Sequence, residues 1–335
     1  MATGFFLPRL IVSMNKILII STAANPHADA LCTELAFHEA EIHRLNIDSL
    51  DQAPTVACTG NSLLVNQSHI IPTSGSWSIF IHQPLLAINK LLPHLERIDF
   101  DLLLAGWGNF LAALESVFPD ALWVNHPRAT SATSRLFSQL AIAARAGLNV
   151  PDTILTNDKT VATEFVSRQK SVVKVGFVNS PAMLGKRLLT HRVSAQDISD
   201  NILNSPCYFQ AYIDKQYELR VHIVGDTVLA CRIDSQASEQ TRVDWRNYDL
   251  PNTPHHKISL PERVSIACRT IVKELNLRFG IIDLIVNPNG EYFFLECNAQ
   301  GHWLWIECLT GLPITKAVTA ILLDSTHQDT TSAIF

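Results

Sequence analysis

Residues 279–301, FGIIDLIVNPNGEYFFLECNAQG, constrain the fold of this chain more than any other stretch. Two runs of alternating residues flank a turn signal, which predicts a β-hairpin. Ile281, Asp283 and Ile285 share one face of the first strand, and Phe294, Glu296 and Asn298 share one face of the second. Asn289-Gly290 reads as a two-residue turn between them. Such a turn sets Asp283 opposite Glu296, with Asn298 alongside. Like charges opposed across strands destabilise a sheet, so a compensating cation is expected. A hard divalent cation such as Mg²⁺ suits three oxygen ligands and leaves room for phosphate oxygens. Taken alone, the segment also reads as a surface hairpin with two solvated acids.

A length of 335 residues allows two or three domains, and 47% apolar with 17% charged residues suits a substantial core. The formal net charge of −5, with no basic block, argues against an extended nucleic-acid footprint. Seven dispersed cysteines, none at metal-ligand spacing, read as buried reduced thiols in a cytoplasmic protein. No apolar run reaches membrane-spanning length, and the start lacks the layout of a secretion signal.

An α/β rhythm organises the chain. Residues 16–22 read as an apolar strand, 28–40 as a helix and 43–47 as a second strand; 101–106 (DLLLAG) and 122–124 read as further buried strands. Neither GxGxxG nor GxxxxGK[ST] occurs, so a dinucleotide-binding turn or P-loop is not expected. A helix over 131–147 places Leu136, Leu140 and Ala143 on one face and stops at Gly147. In the strand 217–225, Glu218, Arg220 and His222 share a face, which suits either a wet sheet surface or a site. Residues 234–249 read as a mobile surface loop, and His255-His256 as loop residues without a third metal ligand.

The hairpin resembles the metal-binding end of the ATP-grasp ligases. The stretches WVNHPRATSATSRLFSQLAIAARAGLNVPDTILTND, FQAYIDKQYELRVHIVG, the DWR at 244–246 and ECNAQGHWLWIECLTGLPI are similar, in order, to the graspetide synthetases that mature microviridin-type peptides. The resemblance implies an α/β ATP-grasp fold: an N-terminal α/β domain over 14–125, a central subdomain over 126–205 and a C-terminal subdomain over 206–325, with 1–13 and 326–335 as tails. It implies ATP and magnesium chemistry, with two Mg²⁺ held by Asp283, Glu296 and Asn298. Lys174 and Arg135 are then phosphate contacts, and Gln210, Ala211, Tyr212 and Ile213 form the adenine clamp. Glu218 lies near ribose or substrate, Arg220 faces the γ-phosphate and reacting carboxyl, and Arg246 touches peptide or phosphate. Residues 177–187 correspond to the loop over the phosphates, and Trp303, Trp305 and Glu307 to groove lining, although those aromatics equally suit a core.

The activity implied is a two-step ligation on a ribosomally made precursor peptide with its leader. A side-chain carboxylate takes the γ-phosphoryl group, and a hydroxyl or amine of the same peptide displaces phosphate to close an ester or amide ring. The alternative is an ATP-grasp ligase that adds an amino acid, as glutamate-adding ligases do. A non-catalytic peptide-binding relative is a third reading. The relatives imply a homodimer, and the charge and hydropathy of the chain lead us to expect neither nucleic acid nor membrane as a partner. Residues 1–13 read as a misplaced start or disordered tail; their GFFLPRL echoes the precursors' leader motif, which leaves a tail docking in cis as another reading.

Overall fold

The computed structural model describes residues 16–48, 55–59, 62–66, 69–87, 97–174 and 190–324. The expected phosphate loop over 177–187, with Lys186, and both terminal tails lie outside these residues.

The first layer is a parallel sheet. Strands β1 (Lys16–Ser21), β2 (Glu41–Asn46), β6 (Trp77–Ile81) and β7 (Leu122–Val124) lie in the order β2-β1-β6-β7. Ile17 to Ile20 are fully buried, as a strand covered on both faces requires. Three short antiparallel strands, β3 (Val56–Cys58), β4 (Ser62–Val65) and β5 (His69–Pro72), form a separate small sheet. The helix Pro26–Ala36 starts where Asn25 Oδ1 accepts the N–H groups of His27 and Ala28.

The expected strand at 101–106 is instead part of a helix, Arg97–Val117. An unbroken apolar run carries no period of its own, and only its continuation decides. Here Leu111 and Leu114 inside the helix and Phe118 just beyond it are buried at helical spacing. The helix expected over 131–147 is two, Pro127–Ala132 and Leu136–Arg145, with Gly147 in the left-handed region at φ +90°.

A second sheet, in the order β10-β9-β11-β8, comprises β8 (Thr153–Thr156), β9 (Ser171–Lys174), β10 (His191–Val193) and β11 (Cys207–Ala211). The helix Lys159–Arg168 packs on it through Ala162, Phe165 and Val166.

The third sheet positions the site. Strands β12 (Tyr217–Val224), β13 (Thr227–Ile233), β14 (His255–Ile258), β15 (Phe279–Val286) and β16 (Tyr292–Asn298) are antiparallel, in the order β14-β13-β12-β15-β16. One face, with Leu219, Val221, Ile282, Leu284 and Phe294, packs on the helices Leu136–Arg145 and Glu262–Glu274. The other face meets the N-terminal layer through Ile281, Phe279, Trp303, Ile17, Ala28 and Phe80. His255 and His256 belong to β14 rather than a loop. Residues 234–249 are not the expected mobile loop, because Ser235, Thr241, Asp244 and Trp245 are buried there. Among the cysteines, Cys231, Cys268 and Cys297 are buried but Cys58 and Cys308 are exposed.

The hairpin corrects its own forecast. The loop has three residues, Pro288 to Gly290, closed by Asn287 N–H on Glu291 O at 3.0 Å, with Gly290 at φ +77°. Pro288 has no N–H, so it cannot close the narrower turn. Pairing therefore starts as Val286↔Tyr292 and Leu284↔Phe294, then shifts to Asp283↔Glu296 and Ile281↔Asn298. Leu295 is the extra residue at this shift. It sends Phe294 to the helix-covered core and returns Glu296 and Asn298 to the side of Asp283, the re-aiming a β-bulge achieves.

Two buried amides hold the far end of this hairpin. Asn125 Nδ2 donates to Phe279 O (2.7 Å) and Ala299 O (2.9 Å), and its Oδ1 accepts from Arg278 and Phe279 N–H. Gln139 Oε1 accepts the Cys297 N–H at 2.6 Å while its Nε2 donates to Cys297 O at 3.2 Å. No helix among the described residues is long and apolar enough to cross a membrane.

Candidate active site

Three charges stand in one rung across three strands, because Arg220 pairs with Asp283 and Asp283 with Glu296. Arg220 Nη1 donates to both carboxylate oxygens of Asp283, at 2.8 and 3.1 Å, and Nη2 donates to His302 O at 3.1 Å. Its Nε is buried with no hydrogen-bond partner among the described residues. A buried guanidinium N–H left open costs desolvation that only an incoming acceptor recovers. The guanidinium lies over Trp245 (5.1 Å) and Trp305 (6.0 Å), whose rings stack on each other at 5.0 Å. Gly301 permits this packing: a Cβ there would sit 2.7 Å from Ile281 and 3.1 Å from Arg220 Nη2.

Burial pushes the Asp283 carboxyl up from its ordinary value; Arg220 opposes this and Glu296 reinforces it. Asn298 Nδ2 faces Glu296 Oε1 at 3.2 Å and Asp283 Oδ2 at 3.5 Å. Half a turn of that amide would present Oδ1 instead, completing three oxygen donors on one face. Lys174 ends β9 close enough to feel this cluster: burial pulls its ammonium down, while Glu296, Asp244 and Asp283 hold it up against Arg246. Arg246 chelates Asp244, with Nε at 2.9 and 3.1 Å and Nη2 at 2.6 Å, and its Nη2 also reaches Thr190 Oγ1 at 3.3 Å. Burial alone would raise Asp244, but Arg246 brings its pKa down to about 2. Two carboxylates, an amide oxygen and three cations around an open donor fit a divalent cation with polyphosphate. The donor set matches a hard cation rather than a thiophilic one, and no cluster of three His, Cys, Asp or Glu that could hold a metal occurs among the described residues.

Several other expected residues have partners within the chain. Glu218 is buried on β12, but its carboxylate accepts from Lys215 Nζ at 2.8 Å, and that ammonium also donates to Val243 O at 2.9 Å. Gln210 is committed to Thr153 Oγ1 (3.0 Å), Ala211 N–H to Asp152 O and Tyr212 N–H to Lys170 O (both 2.8 Å). Tyr212 lies under Arg192 at 4.0 Å. Any backbone recognition by this segment therefore falls to its carbonyls and to Ile213. Arg135 caps the helix Leu136–Arg145 from an exposed position. Trp303 is core, donating to Thr315 Oγ1 at 3.1 Å, and so lines no groove; Glu307, half-buried, accepts from Thr315 N–H at 2.9 Å, and Trp305 reaches Arg220 together with Trp245.

The sequence reading missed Lys215, Gln83 and the role of Asp244. A lysine three residues before a buried glutamate was the available signal for the first. Gln83 gave none, because its partners Gln300 and His302 lie 217 and 219 positions away.

No family model matches the chain, and no curated protein matches it. Solved structures do. A RiPP-associated ATP-grasp ligase from Chryseobacterium gregarium, in complex with ADP and a leader and core peptide, is 26% identical with a TM-score of 0.79, covering 92% of this chain and 96% of its own. The macrocyclase MdnC from Microcystis aeruginosa, bound with precursor peptide MdnA, is 20% identical with a TM-score of 0.76, over 93% of this chain and 100% of its own. D-alanyl-alanine synthetase A from Vibrio cholerae shares the fold at 12% identity and a TM-score of 0.61, over 93% and 99%. With its layers, its charged rung and these near-full-length matches, the chain is an ATP-grasp ligase, similar in structure to the RiPP-associated members of that group.

Proposed function

We propose that this ligase activates Asp or Glu side chains of a ribosomal precursor peptide as acyl phosphates and closes ester or amide cross-links to Thr, Ser or Lys side chains. The carrying observation is the Arg220–Asp283–Glu296 rung with its open guanidinium N–H. The similar structures that hold leader and core peptides support a peptide substrate over a free amino acid.

In this reading Asp283, Glu296 and Asn298 hold Mg²⁺, which supplies charge neutralisation at the transferring phosphoryl group. Lys174, Arg246 and Arg135 face the polyphosphate, and residues 210–213 flank the base. Arg220 orients the carboxylate to be activated and offsets charge as the phosphoryl group moves. Glu218, closed into its pair with Lys215, positions β12 rather than touching substrate. No protein nucleophile is required, since the peptide provides both reacting groups. The enzyme works as a cytoplasmic homodimer on a peptide that carries its leader, apart from nucleic acid and membrane. The domain division at 125 and 205 belongs to the same proposal.

Intact-mass spectrometry tests it. A microviridin-type precursor with leader attached, incubated with the protein, ATP and Mg²⁺, should lose one water mass per ring, and should not with Glu296→Gln. The fold shared with a D-alanyl-alanine synthetase keeps a second reading in view, ligation of an amino acid to a free carboxylate. ATP turnover without leader dependence and without mass loss would favour it.

A further inference from the structure

The seam between the N-terminal sheet and the metal hairpin holds a histidine whose protonation pattern its neighbours dictate. Gln83, just past β6, has the strained φ of +48°. Its Nε2 donates to Gln300 O at 2.7 Å. A carbonyl oxygen only accepts, so this bond fixes which end of the Gln83 amide is which. Oε1 of Gln83 must then face His302 Nε2, at 2.8 Å. A carboxamide oxygen also only accepts, so His302 carries its proton on Nε2 and has a bare lone pair on Nδ1. Among the described residues Nδ1 of His302 meets no hydrogen-bond partner, and the side chain is exposed.

This histidine is placed beside the reacting centre. Its own carbonyl accepts from Arg220 Nη2 at 3.1 Å, and Gly301 before it lets the backbone approach that guanidinium. His27 stacks on it at 5.0 Å and 26°, and His82 lies 5.8 Å away. Of the titratable groups facing His302 from the packed elements, Arg220 favours its neutral form, and His27 and His82 stay uncharged beside it. Burial and neighbouring rings bring His27 down to about 2 and His82 to about 3, and Arg220 adds positive charge. Part of the His302 side chain is open to solvent, yet the protein packed around the ring first, and Arg220 second, lower it from its ordinary value. Beyond Gln83 lies a cavity of about 730 Å³, lined also by Asn125, Arg128, Thr130 and Gln300.

We infer that His302 is the general base of the ring-closing half-reaction, and that Gln83 is the residue that positions it. The inference rests on the proposed ligase reading. As the acceptor hydroxyl or neutral amine approaches the acyl phosphate held at Arg220, one proton passes from it to His302 Nδ1. The acceptor's electron pair forms the bond to the acyl carbon. The bond from that carbon to the phosphate oxygen breaks, and phosphate leaves with the electron pair. Phosphoryl transfer itself needs no base, so His302 serves the second step only.

The test separates the two steps on the full chain with ATP, Mg²⁺ and a microviridin-type precursor bearing its leader. ADP release, counted over the first turnover, reports activation, ring mass reports closure, and hydroxylamine, already nucleophilic when neutral, traps the acyl phosphate as hydroxamate. In His302→Ala, ADP release and hydroxamate yield should stay within about twofold while closure falls about 10²-fold or more. The residual closure should rise with pH up to pH 9, whereas the wild type levels off near neutrality. Gln83→Asn tolerates the positive φ but falls short of His302; it should lose closure about tenfold with ADP release unchanged. Closure at the wild-type rate in His302→Ala, or ADP release falling in step with closure, overturns the inference. A wild-type protein that turns over ATP but closes no ring on this peptide would instead remove the macrocyclising reading, and this inference with it.

Discussion

Strand β12 carries two buried ion pairs that differ in one respect. Lys215–Glu218 is closed: the ammonium has a carboxylate at 2.8 Å and a carbonyl at 2.9 Å. Arg220–Asp283 is open: one guanidinium N–H has no partner, and a second carboxylate, Glu296, stands against the first across β15 and β16. Both consist of the same residue classes at nearly equal burial. Removing charges from water is costly, and a pair repays that only when its remaining donors and acceptors are met. The closed pair meets this condition within the chain, and in the proposed reading it is scaffold. The open pair does not, and in the same reading its complement comes from what binds. Burial and charge alone would not have separated them; hydrogen-bond satisfaction does.

The largest effects should come from breaking the two pairs. Lys215→Met leaves Glu218 buried and unpaired, and should cost about 3–5 kcal/mol of stability in denaturant titration while the surviving folded fraction keeps its ligase rate. Acid should reach the open pair's side of the molecule first. His222, two residues from Arg220, falls to about 3 by burial, as His82 does, and His27 falls to about 2. Each has a folded pKa below its unfolded value, so the unfolded chain takes up protons first. Their stability is therefore full above pH 6.5 and is lost as pH drops from there toward the folded pKa. At pH 5.5 the three together should cost about 4 kcal/mol relative to pH 7.5, and His222→Leu should remove roughly a third of that dependence.

Glu296→Gln should lower ligase activity about 10²–10³-fold and yet leave the ligand-free protein as stable or up to about 1 kcal/mol more so, because it relieves the opposed carboxylates. That opposite sign is what distinguishes it from Lys215→Met. A Glu296→Gln variant that melts well below wild type would mean the open pair is scaffold after all. The smallest effect belongs to the aromatic shelf: Trp305→Leu should cost about 0.5–1 kcal/mol in stability and weaken nucleotide binding only slightly.

The sequence carried the opposition of Asp283 to Glu296 and the shared face of Glu218, Arg220 and His222, because strand periodicity is local. It carried the first for an incomplete reason. The narrow turn that would align them is barred by Pro288, and the register is restored by a bulge at Leu295 that no residue type announced. The helix Arg97–Val117 passed for a strand because DLLLAG is apolar on every side. The order within 234–249 was hidden because its polar residues satisfy one another: Thr241 Oγ1 donates to Ser235 O at 2.9 Å, and Asp244 holds Arg246. Polar side chains at sequence level look solvated until their partners are known. Gln83 was illegible for a different reason, since its meaning lies wholly in residues more than 200 positions away.

Strand β16 is the last strand of its sheet, and an outermost strand ordinarily invites another chain to pair with it. Here its outer rim is already spoken for. Phe294 N–H meets Asn149 O at 2.8 Å, Tyr292 O takes the Asn149 N–H at 3.2 Å, Gln139 grips both backbone groups of Cys297, and Asn125 takes Ala299 O. Among the described residues these backbone groups of β16 are thus already paired and offer an extended substrate peptide no ladder to join. An extended peptide can then lie against the enzyme without the Glu296 strand being recruited into a peptide-templated sheet.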